Sequence, residues 1–196
     1  DHRDLHSFPT RRSSDLITEY RSTAFNSQLR GNLLAQQWNG ILYNIELSAD
    51  GTQVSNISFL ETEVGSDEYA ADGLDVLTGP GGAIVGIDFS AGEITVSTPV
   101  DELVTNNMVA YDISSWRAPA SGGGEFVIGG DNFSGSIADT TVTIGDEVAS
   151  ITSVSDNRIT GIFPSFTPSG DNLLDVTVES NGQVSAITDA FQPLFI

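Results

Sequence analysis

Cysteine and lysine are both absent from this 196-residue chain, and the two histidines stand at positions 2 and 6. Without cysteine there is no disulfide, no thiolate nucleophile and no thiolate metal site. Without lysine there is no side-chain amine to form a Schiff base. Positive charge is scarce: seven arginines face 27 acidic residues, for a formal net charge of −20. Nucleic-acid binding needs clustered Lys or Arg to neutralise phosphates, so that class is excluded. No apolar run approaches the roughly 18 residues a membrane helix requires, so no membrane span is expected.

Residues 1–16, DHRDLHSFPTRRSSDL, match codon by codon the translation of a standard short-read sequencing adapter, and they are set aside as non-native. The native polypeptide is expected to begin near Ile17, inside a longer, metagenomic gene. Both histidines fall in this segment, His2 and His6, together with three arginines. Residues 17–196 contain no histidine, which removes a Ser-His-Asp triad, a histidine base and a histidine-bound zinc. The remaining arginines are Arg21, Arg30, Arg117 and Arg158. Acidic residues are spread evenly, 14 in 17–112 and ten in 113–196, so there is no acidic tail. An even acidic surface of this kind keeps a protein soluble and monomeric and suits a marine or salty habitat.

Alternation with a period of two dominates the chain, and no helical stripe exceeds two turns. In GILYNIELSADG, Ile41, Tyr43, Ile45 and Leu47 face one way and Asn44, Glu46 and Ser48 the other, ending in an Asp50-Gly51 turn. QVSNISFLE comes next, with Ile57 and Phe59 on one face, then AIVGIDF with Ala83, Val85, Ile87 and Phe89 alternating, and EITVSTP. Farther on come FVIGG, TTVTIG, ASITSV, NLLDVTVES and QVSAIT, with a second hairpin turn at Asn181-Gly182. Strands of five to eight residues separated by short turns predict an all-β protein. A polar stretch between Pro99 and Gly124 marks a domain boundary, giving units at 17–107 and 108–196.

The second unit carries DISSWRAPASGGGEFVIGGDNFSG, then TTVTIGDEVAS and ITGIFPSFTPSGDNLLDVTVESNGQVS, closed by an aromatic at Phe191 or Phe195. It resembles an IPT/TIG domain, an immunoglobulin-like β-sandwich. Gly129 and Gly130 permit a positive φ or a close approach, and Phe133 then plugs the sandwich end. Leu174, Val176 and Val178 point inward against Asp175, Thr177 and Glu179 outward. Trp116 reads as a core or interdomain packing residue rather than a ligand-stacking platform. Such modules serve as spacers or interaction domains in extracellular proteins, so an extracellular or periplasmic location is expected. Some relatives of the fold grip DNA with basic loops, which this chain lacks.

The first unit carries LRGNLLAQQWNGILYNIELSADG and DGLDVLTGPGGAIVGIDFSAGEITVSTP. It is similar to the closing blades of a glucose/sorbosone dehydrogenase-type β-propeller, about one and a half blades. The resemblance implies a parent that oxidises sugars with pyrroloquinoline quinone and calcium; the histidine machinery would lie in earlier blades. One departure stands out. Where that family has Gly-Pro-Asp-Gly, this chain reads Gly79-Pro80-Gly81-Gly82, which removes a turn carboxylate of structural or metal-binding use. Asp72, Asp75 and Asp88 are read as turn-capping or solvated carboxylates, with calcium or cofactor contact as the alternative. Arg30 is expected to pair with a neighbouring acid rather than with a cofactor carboxylate. Asn56 and Asn132 match the glycosylation sequon, a pattern discounted for a bacterial protein. No catalytic, cofactor-binding or metal residue is assigned within the chain. Two functions therefore stand open: a fragment of a sugar dehydrogenase, or a non-catalytic extracellular scaffold with a carbohydrate or cell-surface partner. Because a propeller closes with a strand from its beginning, residues 17–107 alone are expected to be poorly soluble, and 108–196 to melt cooperatively.

Overall fold

The computed structural model describes residues 17–37, 40–60, 73–88, 91–98, 107–167 and 173–195. The adapter-like segment, Asp72 and Phe89 lie outside them. The described residues are all-β, interrupted only by two short 3-10 turns, Phe25–Ser27 and Pro80–Gly82. They divide into two compact units: one of residues 1–20, 31–78 and 84–97, the other of residues 21–30, 79–83 and 98–196.

In the first unit, β1 (Ile17–Glu19), β2 (Leu33–Gln36), β3 (Leu42–Leu47) and β4 (Val54–Phe59) form an antiparallel sheet in consecutive order. β5 (Gly73–Thr78), β6 (Ile84–Asp88) and β7 (Glu93–Ser97) form a second, three-stranded antiparallel sheet, and β5 lies against β1 and β2. The hairpin after β3 closes through Ser48, whose N–H donates to the Gln53 carbonyl at 2.8 Å, with Gly51 at φ +68°.

The alternation expected within β3 and β6 is present, and the apolar residues grouped by it take the outer face. On β3 the buried side chains are Leu42 and Asn44, while Tyr43, Ile45 and Leu47 are half-exposed. On β6 they are Ile84 and Gly86, while Val85 and Ile87 are half-exposed. Asn44 is accepted on the buried face because it is hydrogen-bonded: Asn32 Nδ2 donates to its Oδ1 at 2.9 Å, and its own Nδ2 donates to Ser58 Oγ at 3.4 Å. The apolar residues displaced from the interior sit on the outer faces. Registers Ile17–Ala35–Tyr43–Phe59 and Leu33–Ile45–Ile57 run across the first sheet, and Leu77–Val85–Val96 with Ile87–Ile94 across the second. Phe59 is 62% exposed, Ile57 58% and Ile94 69%.

The second unit is a two-sheet sandwich. One sheet runs β13 (Ser150–Ser155), β14 (Arg158–Ile162), β10 (Glu125–Asp131), β8 (Val109–Ser114). The other runs β12 (Glu147–Val148), β11 (Thr140–Ile144), β15 (Leu174–Ser180), β16 (Gln183–Leu194), β9 (Arg117–Pro119), with β9 and β16 parallel. Both sheets turn alternate residues inward, so Phe126, Ile128, Val142, Ile144, Ile159, Val176, Val178, Ile187 and Phe191 make one core. Complete burial of side chains this size contributes about 1.5–3 kcal/mol each. Phe163 stacks on Phe191 at 4.6 Å between centroids, and Phe126 and Phe166 tilt against this pair at 5.2 and 5.1 Å. The closing aromatic is therefore Phe191; Phe195 is exposed. Val176 and Val178 are fully buried with Asp175 and Glu179 outward, as the pattern in β15 predicts. Phe133 is buried in the same core.

Hydroxyl groups hold one end of the sandwich. The Thr140 hydroxyl lies 3.0 Å from those of both Ser134 and Ser180, and donates to the Ser136 carbonyl. The Asn181-Gly182 turn joins β15 to β16 with φ +51° and +76°, the positive pair that a tight two-residue hairpin demands.

Candidate functional site

The most densely connected polar region of the second unit is where residues 21–30 and 79–83 meet β8, β10 and β16. It is built around Asp112 on β8, whose side chain points away from the sandwich core, opposite to Ile113, and is buried against the 79–83 turn. Its Oδ1 accepts the Gly81 N–H at 2.9 Å and its Oδ2 the Gly82 N–H at 2.7 Å. Both glycines have φ +76°, a conformation that costs an L-residue energy and glycine none. The Gly-Pro-Gly-Gly turn thus lacks a carboxylate of its own and receives one from a strand thirty residues later.

Burial raises the Asp112 pKa above the ordinary carboxylate range, by desolvation of the charged form. The amides of Gly81, Gly82 and Gly129 and the Ser22 hydroxyl act in the opposite direction and offset part of that rise. Asp112 is a residue that sequence reasoning passed over. The available signal was an acid within an otherwise apolar strand, V-A-Y-D-I-S, where a buried charge is expensive without partners.

Gly129 and Gly130 have ordinary φ values, so close approach, not positive φ, is what they provide. A Cβ on Gly129 would fall 1.9 Å from the Gly81 nitrogen. One on Gly130 would fall 2.1 Å from the Val109 carbonyl oxygen and 2.5 Å from the Phe133 ring. The bulge between the two shifts β10 against β8 at this point. The left-handed residue here is Asn132, at φ +58°.

Residues 21–30 are held by the same region. The Thr23 N–H and hydroxyl both donate to the Tyr111 carbonyl, at 2.8 and 3.0 Å. Arg21 donates to the Asp189 carbonyl at 3.3 Å, and Arg30 to the Thr188 carbonyl. One partner of Arg30 is thus a backbone oxygen on β16. The Tyr111 hydroxyl donates to Asp131 Oδ2 at 2.6 Å.

Trp116 is half-buried and lies outside the sandwich core, so of the two packing roles expected for it the core one does not hold. The guanidinium carbons of Arg21 and Arg117 lie over its ring, 4.0 and 3.7 Å from the centroid. A ring covered in this way is not a bare stacking platform for a neutral sugar.

Asp75 Oδ1 accepts the neighbouring Val76 N–H, and Asp88 Oδ1 accepts the Ala91 N–H at the turn before β7. Both act as local caps. Among the described residues no group of three or more His, Cys, Asp and Glu is placed to hold a metal ion. No helix among them is long and apolar enough to cross a membrane.

The sandwich, its bulged Gly-Gly step and its plugging phenylalanine coincide with a known domain. Residues 108–192 match the family model of the IPT/TIG domain. No curated protein matches the chain. Among solved structures the chain is similar to parts of several larger proteins. An auxiliary nutrient binding protein from Bacteroides ovatus shares 23% identity over 44% of this chain and 21% of that one, with a TM-score of 0.35. The extracellular region of plexin A4 shares 14% identity over 91% of this chain and 15% of its own, at 0.41. SGBP-B, from a complex xyloglucan utilization locus in Bacteroides uniformis, shares 18% over 83% and 44%, at 0.35. The chain therefore spans about a fifth of the first of these structures.

Proposed function

We propose that this chain is a non-catalytic binding or spacer part of an exported protein, with the IPT/TIG domain as its scaffold and a carbohydrate or cell-surface partner. The observation that carries this reading is the use the domain makes of its most distinctive polar groups. Asp112, Gly129, the Tyr111 carbonyl and Trp116 all hold segments 21–30 and 79–83 in place. A buried carboxylate whose two oxygens are occupied by backbone amides is a structural cap rather than a general base or a metal ligand. The test is direct. The purified chain is to be retained on insoluble polysaccharide and to show no dye-coupled sugar oxidation after addition of pyrroloquinoline quinone and calcium; quinone-dependent turnover would overturn the proposal.

A second reading concerns the first unit. Its consecutive four-stranded meander, its three-stranded companion and the apolar outer faces of both support a place within a larger stack of sheets, as in a β-propeller. A finished sandwich turns polar residues outward, whereas Phe59, Ile57, Leu77, Ile94 and Val96 are exposed here. A sugar dehydrogenase parent would draw its catalytic groups from other blades. Recovering the upstream coding sequence tests this: further blade repeats support the propeller, and repeated β-sandwiches refute it.

A further inference from the structure

Three of the four arginines after residue 16 converge on one small region of a protein whose net charge is −20. Arg30 and Arg21 donate to consecutive carbonyls on β16, those of Thr188 and Asp189. Arg21 also lies over Trp116, and Arg117 lies over the same ring. β9, which carries Arg117, pairs with β16 at Gln192, so one stretch of β16 and its neighbour bear all three. Asp189 itself is tied to a second acid of the region, Asp175, whose Oδ1 accepts the Asp189 N–H.

Arg117 is the residue that gives this cluster an outward chemistry. It is exposed, and among the described residues its guanidinium makes the ring contact and no hydrogen bond or ion pair. Stacking on an indole fixes the plane of the guanidinium while leaving its N–H edge free. Such a fork is pre-ordered for the two oxygens of a carboxylate. The −20 charge repels dense polyanions at long range, but screening confines that repulsion to about 8 Å at physiological ionic strength. A ligand with isolated anionic groups on an otherwise neutral chain escapes most of the repulsion and meets the local positive charge.

We propose that Arg117, stacked on Trp116 beside Arg21, forms a carboxylate-binding site for a uronic-acid-bearing oligosaccharide. The sugar carboxylate sits at the Arg117 fork, and the ring edge of Trp116 left uncovered borders the pyranose. The site rests on the reading of the chain as a binding module and gives that module a ligand class.

The test is calorimetric titration of the full chain with a neutral xylo-oligosaccharide bearing a single glucuronic acid and with its methyl ester, which keeps the sugars and removes the charge. The acid is expected to bind at least about tenfold more tightly than the ester, as loss of a charge-assisted pair implies. Arg117→Gln is to weaken acid binding by about the same factor, Arg117→Lys to recover only part of it, and the exposed Arg158→Gln to leave it unchanged. Equal affinity for acid and ester would overturn the carboxylate site while leaving a neutral-glycan binding module standing. Acid binding insensitive to Arg117→Gln would also overturn the site. Failure to bind either form would remove the site, and failure on insoluble polysaccharides as well would remove the binding-module reading.

Discussion

Gly129 and Gly81 approach so closely that a single methyl group on Gly129 would sit 1.9 Å from the Gly81 nitrogen. The contact joins a sandwich strand to a turn forty-eight residues earlier in the chain, and it leaves no room for any side chain. Gly129→Ala is expected to cost about 1–3 kcal/mol, the usual penalty for overpacking, since backbone lies on the other side of the clash. Gly124→Ala is the control, because its Cβ would meet only the Phe163 ring at 3.8 Å. Thermal denaturation of the two variants beside the parent chain measures the difference; equal melting temperatures would show that the turn is not seated on β10.

The charge state of Asp112 gives a second prediction. Its folded-state pKa is raised, chiefly by desolvation. An acid of this kind contributes stability that is fully present below the unfolded pKa and is lost as pH rises through the folded value. Asp112→Asn has no such titration. The stability of the parent chain relative to Asp112→Asn should therefore improve as pH falls from neutral toward about 4, the ordinary Asp range. Melting temperatures of both proteins across that interval test the sign; a relative loss for the parent on acidification would mean that hydrogen bonding to the amides outweighs burial.

The sandwich taken by itself should be weakened, though still cooperative. Residues 108–196 keep the aromatic and aliphatic core but lose the amides that satisfy Asp112 and the Arg21 stack on Trp116. The Asp112 carboxylate faces the removed segments and not the sandwich core, so in the isolated piece it meets water, and what is lost is the packing and hydrogen bonding those segments supply. Calorimetry of the isolated piece is expected to give one transition at a lower temperature than the corresponding transition of the whole chain, and Asp112→Ala should change that transition little.

Exposed apolar side chains on the first unit make a fourth case. Ile57→Thr, Phe59→Thr, Ile94→Thr and Val96→Thr together should reduce binding of a hydrophobic dye and concentration-dependent self-association. Threonine keeps β propensity, and these positions are more than half exposed, so the melting temperature should change little. A large fall in melting temperature would show that the outer faces are internal packing surfaces of this chain.

The sandwich was the most legible part of the sequence. β15 alternates cleanly because one side meets the core and the other meets water, and a period of two reports that asymmetry directly. β3 and β6 carry apolar residues in both phases, so periodicity groups the residues of each face without telling which face is buried. Asn44 occupies the buried side only because Asn32 and Ser58 satisfy it, a partnership between separate strands that no local pattern contains. The seating of the Gly79–Gly82 turn was hidden for the same reason: it depends on Asp112 and Gly129, far along the chain. Its local trace was the glycine pair itself, which marks two backbone positions with φ +76°. Trp116 was legible as a packing residue but its partners were not, since its ring is covered by one sequence neighbour, Arg117, and one remote residue, Arg21.

The parallel pairing of β9 with the end of β16 has a mechanical meaning. Gln192, Pro193 and Leu194 lie beside Arg117, Ala118 and Pro119, with hydrogen bonds from the Gln192 N–H to Trp116 and from the Ala120 N–H to Leu194. Tension drawn along β16 from its C-terminal end runs parallel to this ladder, across its hydrogen bonds, and not along them. The bonds are then loaded together in shear instead of opening one after another like a zipper. A domain fastened in this way transmits a pull along its last strand while its aromatic core stays closed behind it.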